Sequence, residues 1–399
     1  MNSIVAYTAE IDDLNEAVAD LFSQTESFPL QKNSLAIIFA EEAADAKEFY
    51  ALLSERWKFP MIGCSAMAML LGKEGYRGIG ISVLLLTADD CEFSAGMTAE
   101  LNVDNYKSEI KRVYDELRGA LDGEVKLAIS YGGMVTDERC AAGDDLVDAL
   151  NEAADRKVPI YGGTASDGFS FSDFRVFYNG EVRKHGQVIA LVSGNIEPKF
   201  ACVSSAGERA IFSYEVTEAR RNIVYRLGSG TFLDALAREK MAVDKTEVMG
   251  DYLLSPFMVE VEREKGDQVE VARTLSVLNR ETGAGAFLGS VPEGSTMSVG
   301  VISREDVQSS VARAFKEVFR KLANAEGRYR TLLCTSCCAR FLAMASNISA
   351  EADAYAKSLP EGVSLMGMYG YGEYCPVKGS RTGADYNMFH NFTFTILMM

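Results

Sequence analysis

Histidine is nearly absent from this 399-residue chain, which carries only His185 and His390. A multi-histidine metal centre is therefore excluded, and a Ser/His or Cys/His catalytic pair has just two candidate bases. Long apolar runs are missing as well. No stretch of 18 apolar residues occurs, so nothing reads as a membrane-spanning helix. The opening stretch, MNSIVAYTAEIDDLNEAVADLF, places Glu10, Asp12 and Asp13 where a signal peptide would be uninterrupted and apolar. Positive charge is in deficit: 40 Lys and Arg stand against 57 Asp and Glu, a formal net charge of −17. That balance argues against a broad contact with nucleic acid or an anionic membrane. Phosphate-loop signatures fail too. GAGAFLG (283–289) spaces its third glycine one residue too far and runs into SVPEGS, and Gly72-Lys73 is followed by Glu74. The cysteines, at 64, 91, 140, 202, 334, 337, 338 and 375, supply no second pair to match Cys334-x-x-Cys337, as a structural zinc site would need. In a long chain without an export signal they read as reduced thiols, and the expected location is cytoplasmic.

What remains is ordinary globular material, 48% hydrophobic and 24% charged, so the acidity does not imply disorder. The length favours two domains or one long one. SLAIIFA (34–40), FPMIGCSA (59–66) and VKLAISYGG (125–133) read as buried strands, and 43–56, 105–121 and 142–155 as helices. GIGISVLLLTA (78–88) and CEFSAGMTAEL (91–101) read as neighbouring antiparallel strands. Asn179-Gly180 inside RVFYNGEV signals a hairpin, with GQVIALVSG (186–194) as its return strand. Strand-rich sequence over 248–303 precedes a helix at 305–325, a strand at 329–335, a helix near 338–357 and a strand at 363–370. FHNFTFTILMM closes the chain as one strand. The fold class is α/β, with mixed sheets flanked by helices and repeated strand-helix-strand units.

The repeat is visible in the letters. PMIGCSA and PIYGGTA align at an offset of 99, placing Gly63 on Gly162 and Ser65 on Thr164, and a further offset of 205 places Gly162 on Gly367. A strand-helix-strand unit makes a parallel pair, and ligands collect outside the carboxyl ends of such strands. The three glycines therefore admit two readings: the floor of a ligand crevice, or a shared packing solution that lets an element sit close.

Several side chains invite chemistry, each with a plainer alternative. Cys334-x-x-Cys337 lies between a strand and a helix, where a helix N-terminus favours a thiolate, though buried reduced cysteines are the commoner outcome. Arg340 is a ready partner for a carboxylate. Glu373, after a glycine-rich strand end, suits an amino group or general-base work, or simply an exposed turn. His390 on a strand is more often a core residue than a ligand. Arg340, Glu373 and His390-Asn391 lie in successive elements and are candidates to converge on one pocket.

IGCS (62–65), YGGTASDG (161–168), VFYNGEV (176–182), SCCAR (336–340), YGYGEY (369–374) and FHNFT (389–393), in that order, resemble the FIST-domain family of proposed intracellular sensors. The resemblance implies two tandem domains, taken as 1–218 and 219–399. It implies a small ligand, such as an amino acid or related metabolite, and an output through a histidine kinase, chemotaxis receptor or ubiquitin-ligase adaptor. Carried over by position, the ligand site would comprise Gly63, Cys64, Ser65, Gly162, Gly163, Thr164, Asp167, Cys337, Arg340, Gly372, Glu373, His390 and Asn391. AMAML after Ser65 departs from the family's more polar continuation and makes that first site more apolar. A subgroup resembles haem-binding nitric-oxide sensors, for which His185 and His390 are the only nitrogen ligands to offer. The expectation is a sensor without catalysis and with no metal or resident cofactor. The rivals are an enzyme with Cys337 or Cys64 as nucleophile and His390 as base, and an interaction scaffold.

Overall fold

Three copies of one strand-helix pattern account for most of the chain in the computed structural model, which describes residues 1–41, 45–133, 143–171, 173, 175–207, 209–322 and 329–399. The starts of the helices expected from 43 and from 142, and the end of the one expected to 325, lie outside these residues. The first repeat runs β1 (Asn2–Thr8), α1 (Leu14–Thr25), β2 (Asn33–Ala40), α2 (Ala46–Leu53), β3 (Met61–Ser65), the hairpin β4–β5 (Met69–Leu71 and Gly75–Arg77) and β6 (Ile81–Ala88). The second runs β7 (Cys91–Met97), α3 (Tyr106–Gly119), β8 (Val125–Gly132), α4 (Gly143–Ala153), β9 (Ile160–Thr164), the hairpin β10–β11 (Val176–Tyr178 and Glu181–Arg183) and β12 (Gln187–Gly194).

The third opens with β13 (Lys199–Ser204) and is then interrupted. The insertion holds β14 (Arg209–Arg220), β15 (Ile223–Leu227), β16 (Gly230–Thr231), α5 (Phe232–Arg238), α6 (Met249–Tyr252), β17 (Phe257–Glu262), β18 (Gln268–Arg273), β19 (Leu275–Asn279), β20 (Ala284–Phe287) and β21 (Thr296–Gly300). The repeat resumes with α7 (Arg304–Arg320), β22 (Thr331–Cys337), α8 (Cys338–Ala343), α9 (Ala350–Ala356), β23 (Ser364–Gly370), the hairpin β24–β25 (Glu373–Lys378 and Asp385–His390) and β26 (Thr393–Met398).

Each repeat builds a parallel pair, β2–β3, β8–β9 and β22–β23, flanked by its own antiparallel β6, β12 or β26. The hairpins do not stay at home. β4–β5 of the first repeat extends β23 of the third, β10–β11 of the second extends β3 of the first, and β24–β25 of the third extends β9 of the second. Three six-stranded sheets result, ordered β1-β6-β2-β3-β10-β11, β7-β12-β8-β9-β24-β25 and β13-β26-β22-β23-β4-β5. The exchange is cyclic, so each sheet is completed by a different repeat.

One continuous apolar cluster joins the inner faces of all three sheets, with Phe39, Tyr131 and Phe394 among its members. Helices cover the outside: α1 and α2 over Ala36, Ile38, Val83 and Leu85, and α3 and α4 over Ala128, Ile160, Ile189 and Leu191. Strands buried on both faces explain why SLAIIFA reads as a continuous apolar run rather than an alternation. On α7, Val307, Val311, Ala314, Phe315 and Val318 recur on one buried face, and Ser303 with Asp306 closes a capping box at its start. Each large apolar side chain so buried contributes roughly 1.5–3 kcal/mol.

Some expectations need correction. β6 and β7 follow one another but are not neighbours: β6 lies between β1 and β2, whereas β7 pairs with β12. The turn between them crosses from one repeat to the next. The Asn179-Gly180 hairpin returns on Glu181–Arg183, not on 186–194, with both turn residues at positive φ (47° and 81°) as a type I′ turn requires. Residues 187–194 instead form β12 between β8 and β7. The terminal segment is two strands in two sheets, broken at Asn391-Phe392, where Phe392 takes φ 61°. The helix expected near 338–357 is divided into α8 and α9. A division at 218/219 falls within β14, inside the insertion.

Candidate functional site

The aligned glycines sit within strands and face the neighbouring strand closely. A Cβ on Gly63 would lie 1.9 Å from the Ile38 carbonyl oxygen, on Gly162 1.8 Å from that of Ser130, and on Gly367 2.1 Å from the Cys334 sulfur. Gly162 also takes φ +147°, which a side chain rarely adopts. Gly163 and Gly372 are equally closed, against the Gly372 carbonyl oxygen at 2.7 Å and the Phe389 ring at 2.1 Å. The packing reading of the repeat is therefore the one the geometry carries at these positions.

The polar motif residues are buried and mostly engaged. Ser65 Oγ accepts from the Arg175 amide at 2.8 Å, and Cys64 packs its thiol 3.3 Å from the Met368 sulfur. Thr164 donates its amide to the Gly372 carbonyl at 2.9 Å. Asp167 organises its own loop, accepting from the Phe171 amide at 2.9 Å, the Asp173 amide at 2.8 Å, Ser170 Oγ at 2.6 Å and the Tyr371 hydroxyl. Arg340 meets a carboxylate of the protein's own. Fully buried, it pairs with the equally buried Glu351, and it donates to Ser336 Oγ at 3.0 Å and Ser310 Oγ at 2.7 Å. Tyr369 donates to the same Glu351 at 2.6 Å. Sequence reasoning named the cation but missed this carboxylate.

Glu373, Asn391 and His390 do come together at the junction of β24, β25 and β26. Glu373 Oε2 accepts from the Thr393 hydroxyl at 2.6 Å and its amide at 3.2 Å, while Oε1 is buried without a partner. Burial pushes the Glu373 carboxyl well up from its ordinary value. Asn391 donates to the Tyr371 carbonyl at 3.2 Å, and its Oδ1 is buried without a partner. His390 lies 2% exposed with Nε2 3.1 Å from the Cys375 carbonyl. A haem iron would have to displace that bond inside a packed sheet, so the residues around His390 do not fit the group. Burial raises the thiols of Cys64 and Cys337. The sulfur that His390 approaches belongs to Cys202.

A more open arrangement lies at the seam where the insertion meets the repeat body. Arg273 of β18, 2% exposed, donates Nη1 to the Phe389 carbonyl at 3.1 Å, and Asp144 of α4 accepts from the Ser290 amide at 2.7 Å. Asp267, also buried, accepts from the Arg381 and Thr382 amides at 2.7 Å each and from the Tyr386 hydroxyl at 2.9 Å. Thr382 Oγ1 heads the interactions that lower its carboxyl to about 2.

Beside this docking a cavity of about 410 Å³ opens between α4, the end of β17 and β25. Asp148, Glu152 and Glu262 line it with Arg263, Tyr386 and Asn387. Arg263 donates Nη2 to the Met388 sulfur at 2.7 Å, and its Nε is buried without a partner. Partial desolvation at the cavity wall and the adjacent Asp144 push the carboxyl of Asp148, an exposed residue of α4, up to about 6. No motif pointed to these residues. Among the described residues, no group of three or more His, Cys, Asp or Glu is placed to hold a metal ion, and no helix is long and apolar enough to cross a membrane.

Residues 34–229 match the family model described as FIST N domain, and residues 233–376 the one described as FIST C domain. The junction between the two lies inside the insertion, so both matches contribute to the repeat body. Over 173 residues the chain is 30% identical to an uncharacterized protein of Methanocaldococcus jannaschii, an alignment spanning 42% of this chain and 32% of that relative. Two solved structures align over nearly the whole chain. A chorismatase does so with a TM-score of 0.39 and 7% identity, covering 100% of this chain and 98% of its own. A cyanuric acid hydrolase from A. caulinodans does so with a TM-score of 0.37 and 8% identity, covering 99% and 97%.

Proposed function

The chain belongs to the FIST family, and on that premise we propose that it is a sensor without catalysis whose ligand is an α-amino acid or close relative, bound at the seam cavity. The observation that carries this reading is Arg263 Nε, a buried guanidinium donor with no acceptor on the wall of a 410 Å³ cavity. A ligand carboxylate supplies the missing acceptor through a charge-assisted hydrogen bond. Asp148 and Glu262 stand ready for the ammonium on the same wall. The volume falls within the usual range of small-molecule sites. Because the cavity is walled by both the insertion and the repeat body, ligand binding biases how the two are seated, and a partner such as a histidine kinase or chemotaxis receptor would read that change.

A panel of amino acids in a thermal-unfolding assay tests the proposal. A ligand at about 100 times its Kd stabilises the folded chain by about 2.7 kcal/mol, and Arg263→Gln and Asp148→Asn abolish the shift. The affinity rises between pH 5 and 7, because the Asp148 carboxyl must lose its proton to face an ammonium. A folded protein that no amino acid or related metabolite stabilises would overturn the reading.

A further inference from the structure

Among the described cysteines, one thiol differs from the rest. Cys64, Cys91, Cys334, Cys337, Cys338 and Cys375 are buried, and burial holds their thiols above the ordinary range. Cys202 is only half-buried, on β13 at the edge of its sheet. It lines a groove of about 660 Å³ with Phe200, Glu317, Lys321 and Lys378, so a small solute reaches it from solvent.

Behind Cys202 lies the face of β24 and β25. Glu373 is directly opposite His390 there, and Cys375 sits two residues further along the same face. Cys375 Sγ lies 3.6 Å from the carbonyl oxygen of Ala201, the residue before Cys202, so the two strands are in contact at this point. β13 packs on β24 here, and Cys375, His390 and Thr393 are the neighbours that act on the Cys202 thiol. The neighbouring Cys375 sulfur is the largest influence on that thiol. With the His390 charge and ring, it holds the group below the usual thiol range despite burial.

A half-open thiol with a second sulfur beside it and an imidazole behind it is the constellation that peroxide-reactive cysteines need. We propose that Cys202 is a site of oxidation by hydrogen peroxide or a small organic hydroperoxide, with Cys375 as its resolving partner. The Cys202 sulfur attacks the terminal peroxide oxygen and the O–O bond breaks. The departing alkoxide or hydroxide takes a proton, leaving Cys202 as a sulfenic acid. Sulfur is oxidised by two electrons and the peroxide reduced to alcohol or water. The Cys375 sulfur, giving up its proton, then attacks Cys202 Sγ. The S–S bond forms, the S–O bond breaks, and the hydroxide leaves with that proton as water. The product ties β13 to β24, two strands of one repeat that lie in different sheets.

The test uses the full, pre-reduced chain with one equivalent of hydrogen peroxide, read by peptide mass spectrometry. The wild type yields a Cys202–Cys375 cross-linked peptide pair lighter by two hydrogens. The Cys375→Ser chain instead traps a dimedone adduct on Cys202, and the Cys202→Ser chain yields neither product at an unchanged melting temperature. His390→Ala slows the first step by at least about tenfold, the effect expected when a neighbouring imidazole no longer favours the thiolate. First modification at any other cysteine, Cys140 included, would overturn the proposal. So would a Cys202 no more reactive in the folded Cys375→Ser chain than in urea, an outcome that does not depend on whether His390→Ala folds.

Discussion

The polar motif residues inside the three-repeat body are mostly tied into its framework, with Glu373 Oε1 and Asn391 Oδ1 enclosed there without partners, whereas those at the seam beside the insertion line an open cavity. In the body, Arg340 has a carboxylate and two hydroxyls, Asp167 holds its loop through four donors, and each aligned glycine is filled by a neighbouring strand. At the seam, Arg263 keeps a buried donor without an acceptor, and Asp148 shares the cavity wall with Glu152 and Glu262. Satisfied groups specify a structure, and unsatisfied ones in an open cavity specify something that arrives later. The family's motifs in this chain are thus built into the body's framework, and the proposed ligand belongs to the seam.

That contrast can be broken most directly at the buried ion pair. Arg340→Ala leaves Glu351 uncompensated and costs about 3–5 kcal/mol, measured by denaturant unfolding. Replacing both partners, Arg340→Met with Glu351→Leu, recovers most of that loss if the pair serves the framework alone. Next in size is Gly162→Ala, whose methyl would meet the Ser130 carbonyl at a backbone angle suited to glycine. About 3 kcal/mol of stability goes with it, whereas Gly250→Ala, with nothing within 4 Å of the new methyl, stays within about 0.5 kcal/mol. A glycine crevice built for ligand would reverse the first result, leaving stability intact and binding lost.

Acid separates the two regions more gently. The Asp267 carboxyl is lowered from 3.8 to about 2, so its contribution is complete above pH 4 and disappears as the pH falls through about 2. Amide exchange at Arg381 and Thr382 accelerates over that window before the body unfolds, and Asp267→Asn produces the same exposure at neutral pH. The smallest stability effect is expected at Arg263→Gln, within about 0.5 kcal/mol of wild type, while the amino-acid response disappears. A large destabilisation there would place Arg263 with the framework and erase the distinction.

The parts of the fold legible in the sequence are those encoded locally. PMIGCSA and PIYGGTA align because each strand-helix-strand unit solves the same packing problem within about thirty residues, and that solution is written in glycine spacing. Hairpin exchange leaves no such trace. Met69 pairs with Met368, and no pattern in either segment names the other. The β6–β7 expectation failed because a short connection between two apolar runs looks the same whether it closes a hairpin or crosses from one repeat to the next. Arg340 was singled out for its chemistry, but its partner stands eleven residues on in another helix, where Glu351 reads as one more surface acid. Arg263 and Asp148 are brought together only by the docking of the insertion, a long-range event to which neither local sequence testifies.

The cyclic exchange of hairpins has a consequence for how the protein is made. As the chain leaves the ribosome, β4–β5 emerges early, yet the strand it must join, β23, follows about three hundred residues later. The middle sheet likewise waits for β24–β25, close to the carboxyl terminus. Of the three sheets, the first alone can be completed midway, once β10–β11 arrives. Synthesis must therefore carry an unpaired hairpin edge for most of its duration, and such edges are templates for aggregation. Two sheets depend on residues 373–398, so a chain cut before β24 lacks the β24–β25 edge of one sheet and the interior strand β26 of another. A ring that closes only when β24–β25 and β26 arrive cannot form from a chain cut before them.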